Sequence, residues 1–190
     1  MKKVKKTLVL TGFMGSGKSS VGQMLSDRLL IPFLDLDREI ERGENTSIPE
    51  IFKNRGEVYF RELEHHYLSH IIEGSPIVLS LGGGALQQGR NIELIRKNSI
   101  LIYLKVPADV LYQRLKNDRN RPLLRNEKGQ LPGEAELLRR IVLLLEEREE
   151  SYLQADVTVH IRPQWNIKET TNEVIRVLSE HAPATHTEHH

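Results

Sequence analysis

The stretch Gly12-Phe-Met-Gly15-Ser16-Gly17-Lys18-Ser19 constrains this chain more than any other. It fits the pattern G-x-x-x-x-G-K-[ST] in full. Before it lies the apolar run Thr7–Thr11; after it, Val21, Met24, Leu25, Arg28 and Leu29 recur near a helical period over residues 18–30. Glycines let the backbone bend until successive N–H groups converge on phosphate oxygens, and the following helix adds the positive end of its dipole. The pattern therefore assigns Gly15, Ser16, Gly17, Lys18, Ser19 and Ser20 to the phosphates of ATP. Lys18 is expected between the β- and γ-phosphates, with the Ser19 hydroxyl holding Mg²⁺.

The rest of the chain alternates apolar runs with helix-period segments, the pattern of a parallel sheet wrapped by helices. Strands are expected at residues 7–11, 31–34, 76–80, 100–104 and 157–161. Helices are expected at 18–30, about 37–43, 48–54, 57–72, 108–116 and 166–181. At 190 residues the chain can bury one core, so residues 1–181 read as one domain. Residues 117–133 (NDRNRPLLRNEKGQLPG) break the rhythm with Pro, Gly and Arg in no clear period. A structureless stretch of that length is usually a lid, a binding loop or disorder. The polar tail 182–190 has no period and is expected to be disordered.

A formal net charge of +1 argues against nucleic-acid binding by bulk electrostatics. Cysteine is absent, which excludes disulfides and thiolate metal sites. No run approaches the roughly 18 apolar residues that span a bilayer, and the N-terminus lacks the apolar stretch of a signal peptide. A cytoplasmic protein without a membrane partner is the expectation.

A phosphate cradle alone does not separate a kinase from an ATPase or a GTP switch. The N-K-x-D tetrapeptide of guanine recognition is missing, and the third strand runs into Gly82-Gly83-Gly84 rather than into paired acids. Phe33-Leu-Asp35-Leu-Asp37 places two carboxylates near the end of the second strand, where doubly wound sheets bind ligands. Two residues apart on an extended strand, they should point the same way. One carboxylate could orient the water shell of Mg²⁺ while the other accepts hydrogen bonds from substrate hydroxyls.

Taken together, GFMGSGKSSVG at 12–22, FLDLDREIE at 33–41, SIPEIF at 47–52, GEVYFRELE at 56–64, LSLGGGAL at 79–86, RPLL at 121–124 and REESY at 148–152 resemble the shikimate kinase family in order and content. The resemblance spans residue 6 to about residue 178. It implies a three-layer α/β/α sandwich with a five-stranded parallel sheet in the order 2-3-1-4-5. It further implies transfer of the γ-phosphate of ATP to the 3-hydroxyl of shikimate, in the chorismate branch of aromatic amino-acid synthesis, by an enzyme expected to act as a monomer. Arg61 and Arg148 match the family's carboxylate-binding arginines, with Glu64 one turn on to hold Arg61. Asp37 matches the residue that accepts hydrogen bonds from the ring hydroxyls and is the group expected to receive the attacking hydroxyl's proton; Asp35 is expected to reach the metal through water. Gly83 and Gly84 match backbone donors closing over the ring; Ile48, Phe52 and Phe60 match its apolar wall. Arg121, in a mobile lid at about 117–133, matches the cation delivered to the transferring phosphate. Arg114 and Arg162 match positions near the nucleotide.

Overall fold

Short apolar segments come together as five parallel strands, the central ones buried on both faces and the edge strands partly covered. These are β1 (Thr7–Thr11), β2 (Phe33–Asp35), β3 (Val78–Ser80), β4 (Ser99–Lys105) and β5 (Val157–His160). The order across the sheet is β2-β3-β1-β4-β5, as the resemblance implies. Central β1 is buried throughout and pairs with β3 (Val9 opposite Leu79) and β4 (Val9 opposite Leu101). The computed structural model describes residues 6–118, 122–125, 130 and 132–181. Arg121, the tail 182–190 and part of the expected lid lie outside the described residues.

Alternation along the strands sorts the core into two layers. Leu8, Leu10, Val78, Ile102 and Leu104 face a layer built by α1 (Lys18–Leu29), α5 (Ala108–Leu115) and α7 (Ile167–His181). Val9, Leu79, Leu101 and Tyr103 face the opposite layer, built by α2 (Leu36–Glu44), α3 (Ile48–Ile72) and α4 (Gly89–Asn98). Runs without polar alternation are thus explained by a sheet covered on both sides. The 19-residue helix α6 (Glu134–Tyr152) is about 28 Å long. It buries Leu137 and Ile141 in the first layer and Tyr152 in the second, so it reaches across from one layer to the other.

The structure departs from the sequence reading in five places, one being the third strand, which begins at Val78 and not at Pro76. Helices α4 and α6 occupy stretches to which that reading gave no element. The second strand begins two residues late, because Leu30 closes α1 in the left-handed region (φ 54°) and Ile31 N–H still donates to Ser26 O. Asp37 is not on a strand: Asp35 caps α2 and Asp37 lies in its first turn. Within 117–133, Pro122–Leu124 forms a short 3-10 turn that buries Leu124 fully in the core. The break expected between residues 54 and 57 is present, as a kink at Gly56 (φ 80°, ψ 174°) inside α3. Among the described residues no helix is long and apolar enough to cross a membrane.

Candidate active site

The loop from β1 to α1 needs its glycines. Gly12, Gly15 and Gly17 have φ of 142°, 77° and 94°, conformations that side chains resist. A Cβ at Gly12 would also meet Leu104 O at 2.8 Å. Gly17 caps α1 with no side-chain hydrogen bond, and no acidic residue sits in the first turn. The helix N-terminus is left to an anion. Lys18 Nζ donates to Gly12 O at 2.7 Å and Phe13 O at 3.1 Å, which folds the lysine over the loop. Arg114 Nη1 donates to Gly15 O at 3.0 Å, bracing the loop from α5.

Ser19 Oγ donates to Asp35 Oδ2 at 2.7 Å and so ties the start of α1 to the end of β2. Between them opens a cleft of about 460 Å³, lined among others by Lys18, Ser19, Ser20, Asp35, Asp37 and Arg38. Gly82 and Gly83 form part of its wall.

Each of the three consecutive glycines after β3 stands against a charged group from a different helix. A Cβ on Gly82 would fall 2.7 Å from Asp37 Oδ1 of α2. On Gly83 it would fall 3.1 Å from Arg148 Nη1 of α6, and on Gly84 2.8 Å from Arg61 Nη2 of α3. The missing side chains leave room for two guanidinium groups and a carboxylate to converge on one short loop.

The electrostatics of these groups follow from their burial. Asp37 is pushed up to about 6, chiefly by burial, then by the negative charges of Asp35 and Glu64; Lys18 opposes the shift. Glu64 is only 1% exposed, and burial raises its pKa while the Arg61 charge pulls it back. Its Oε2 accepts from Arg61 Nη1 at 2.9 Å and from Gln88 Nε2 at 3.3 Å. An exposed i,i+3 ion pair would be worth little; a buried and doubly bonded glutamate instead fixes the guanidinium in place. Glu57, exposed, accepts from Arg61 Nε and Nη2 on the opposite edge. Arg148 is buried, lies 6.0 Å from the centre of the Phe13 ring, and its Nε has no hydrogen-bond partner among the described residues. A buried cation with an unmet donor is a usual feature of an anion site.

Of the residues singled out in the sequence, Lys18, Ser19, Ser20, Asp35, Asp37 and Gly83 line the cleft, as do Gly15 and Gly17. Gly84, Arg61 and Arg148 continue its wall through the glycine contacts. Ser16 is buried within the loop. Phe52 and Phe60 pack with ring centres 4.7 Å apart, Phe60 buried and Phe52 partly exposed; Ile48 is half-buried nearby in the same layer. Arg162 is not in the cleft wall: it lies over the Trp165 ring at 5.2 Å. Sequence reasoning passed over Arg38 and Gln88. Arg38 adjoins Asp37, but nothing in a single sequence separates it from a solvated helix residue.

The fold, the phosphate cradle and the cleft beside it, where Asp37, Arg61 and Arg148 converge, together define a P-loop kinase acting on a small acceptor. Residues 14–179 match the family model described as shikimate kinase. The chain is 45% identical to shikimate kinase of Cereibacter sphaeroides over 159 residues, covering 84% of this chain and 76% of the relative. It is 40% identical to that of Chlorobaculum parvum over 174 residues, 92% of each. A solved structure of shikimate kinase from Acinetobacter baumannii in complex with shikimate superposes with a TM-score of 0.84 at 32% identity, covering 95% of this chain and 97% of that one. The chain belongs to the shikimate kinase family.

Proposed function

We propose that this protein transfers the γ-phosphate of ATP to the 3-hydroxyl of shikimate, giving ADP and shikimate 3-phosphate for the chorismate branch of aromatic amino-acid synthesis. The observation that carries this reading is the convergence of Asp37, Arg148 and Arg61 on Gly82, Gly83 and Gly84, beside the phosphate cradle. Shikimate is a compact ring with one carboxylate and three hydroxyls. Planar guanidinium forks suit the carboxylate, and Asp37 suits a hydroxyl.

In this reading the cradle N–H groups and Lys18 bind the triphosphate, Lys18 leaving the loop carbonyls for phosphate oxygens. Arg61 and Arg148 hold the acceptor's carboxylate and so aim its ring. Asp37 accepts the proton of the 3-hydroxyl as that oxygen bonds to the γ-phosphorus and the bond to the bridging oxygen of ADP breaks. Arg121 is the cation we assign to the transferring phosphate, and Arg114 and Arg162 are assigned to the nucleotide.

The donor set at Ser19 and Asp35, a hydroxyl and a carboxylate 2.7 Å apart, is of the hard-oxygen kind that Mg²⁺ prefers. Among the described residues no group of three or more His, Cys, Asp or Glu could hold a metal. In this reading Ser19 would bind the ion directly and Asp35 through water, with phosphate oxygens filling the other places. Bound there, the ion neutralises charge on the β- and γ-phosphates.

Arg61→Lys tests the reading. An ammonium cannot make the fork, so the shikimate KM in an ADP-release assay should rise by roughly ten- to a hundredfold, with the ATP KM little changed. An unchanged shikimate KM would remove Arg61 from the acceptor site.

A further inference from the structure

Tyr152, the last residue of α6, is assigned no contact with either substrate, although it lies four residues after Arg148 and closes the REESY stretch. It is 1% exposed, and its hydroxyl donates to Gly83 O at 2.8 Å. Its ring lies 5.0 Å from that of Tyr103. The Tyr103 hydroxyl in turn donates to Glu149, which pairs with Lys105. The phenol is therefore held by packing on one side and by a hydrogen bond at its tip. Burial pushes its pKa up, so it is a donor at neutral pH.

The carbonyl it grips belongs to the same peptide unit as the N–H of Gly84. In a trans peptide those two groups point in opposite directions. No peptide bond among the described residues is cis. With the Gly83 carbonyl drawn toward α6, the Gly84 N–H is turned away from α6, and it donates to no group among the described residues. Glycine backbones flip their peptide planes with little steric resistance, so a run of three needs an outside hold to present one N–H in one direction.

We infer that Tyr152 is a positioning residue for acceptor recognition: by gripping the Gly83 carbonyl it fixes the Gly83–Gly84 peptide plane and aims the Gly84 N–H at an oxygen of the bound hydroxy acid. The inference rests on the functional reading above and adds a residue to it. Arg148 and Tyr152, one helical turn apart, both reach the same glycine: a Cβ on Gly83 would lie 3.1 Å from Arg148 Nη1 and 3.6 Å from the Tyr152 hydroxyl, so the guanidinium is left for the ligand while the phenol holds the backbone.

The test is Tyr152→Phe, which keeps the ring and removes only the hydroxyl. The shikimate KM should rise about tenfold, the size of one net hydrogen bond, while the ATP KM stays within about twofold. A folded variant whose shikimate KM is unchanged, or whose two KM values rise together, overturns the inference. The intact protein gives a second readout that does not depend on the variant folding. The ¹H–¹⁵N resonance of Gly84 should move and gain exchange protection as shikimate saturates the site; a Gly84 amide indifferent to shikimate overturns it equally. Wild-type protein that does not turn shikimate over at all would sink the functional reading, and this inference with it. Normal wild-type turnover beside an unaltered variant KM would sink only the inference.

Discussion

Lys18→Met is expected to lower kcat by a thousandfold or more while the protein stays folded. A positioned cation at a transferring phosphate can be worth about 10³–10⁵ in kcat. Lys18 is also the cradle's only lysine, and no other basic residue lies within Gly12–Ser19. Two hydrogen bonds to loop carbonyls are lost with it. At about 0.5–1.5 kcal/mol net for each hydrogen bond, the melting temperature should fall by only several degrees. Circular dichroism and a thermal melt beside single-turnover kinetics separate the two effects. Near-normal turnover would mean that the cradle does not hold the reacting phosphate.

Asp37→Asn should have opposite effects on rate and stability. An amide cannot take the hydroxyl's proton, so kcat should drop by about 10²–10⁴. The carboxylate's folded pKa of about 6 lies above its ordinary 3.8, which means the fold disfavours the ionised form. Above pH 6 the fold carries the cost of a buried charge, and that cost is relieved as pH falls from about 6 toward 4. At pH 7–8 the neutral amide removes it, for a gain of roughly 1–3 kcal/mol and several degrees in Tm. The wild-type kcat/KM for shikimate should climb with pH through about 6 and then level off, since only the ionised carboxylate accepts a proton. An inactive variant no more stable than wild type would point to a hydrogen-bonded Asp37 and not one strained by burial.

Much of the fold was legible because its information is local. A run such as Thr7–Thr11, apolar through its middle and closed off by a glycine, reads as a covered strand, and the cradle motif then dictates a tight loop and a helix. The helix α6 could have been read from Leu137, Ile141, Leu144 and Leu145, which lie on one face. What obscured it was Arg148, a charged residue buried at the next position of the same stripe. The feature that hides the helix is the one the site uses.

The site was legible as a set of residues and much less as a geometry. Asp35 and Asp37 share the cleft, but through the cap and first turn of a helix and not through strand alternation. A polar residue at a strand's last position can equally be a helix N-cap, and single-sequence patterns do not choose between them. Three glycines in a row say only that side chains are unwelcome. That Gly82, Gly83 and Gly84 stand against groups from α2, α6 and α3 depends on contacts across 45, 65 and 23 residues of chain, which no local pattern encodes. Tyr152 was read as part of a family motif without a task. Its hydrogen bond to Gly83 O becomes visible only once α6 is packed against the end of β3.

The central claim, that one cleft holds a nucleotide's phosphates and a small hydroxylated acid together, is tested most directly by ADP release across three acceptors: shikimate, gluconate and a nucleoside monophosphate. Each is supplied with ATP and Mg²⁺. Release driven by shikimate alone, in one-to-one proportion to shikimate consumed, is the predicted result. Release that ignores shikimate, or that gluconate or the nucleotide drives as well, would contradict the account.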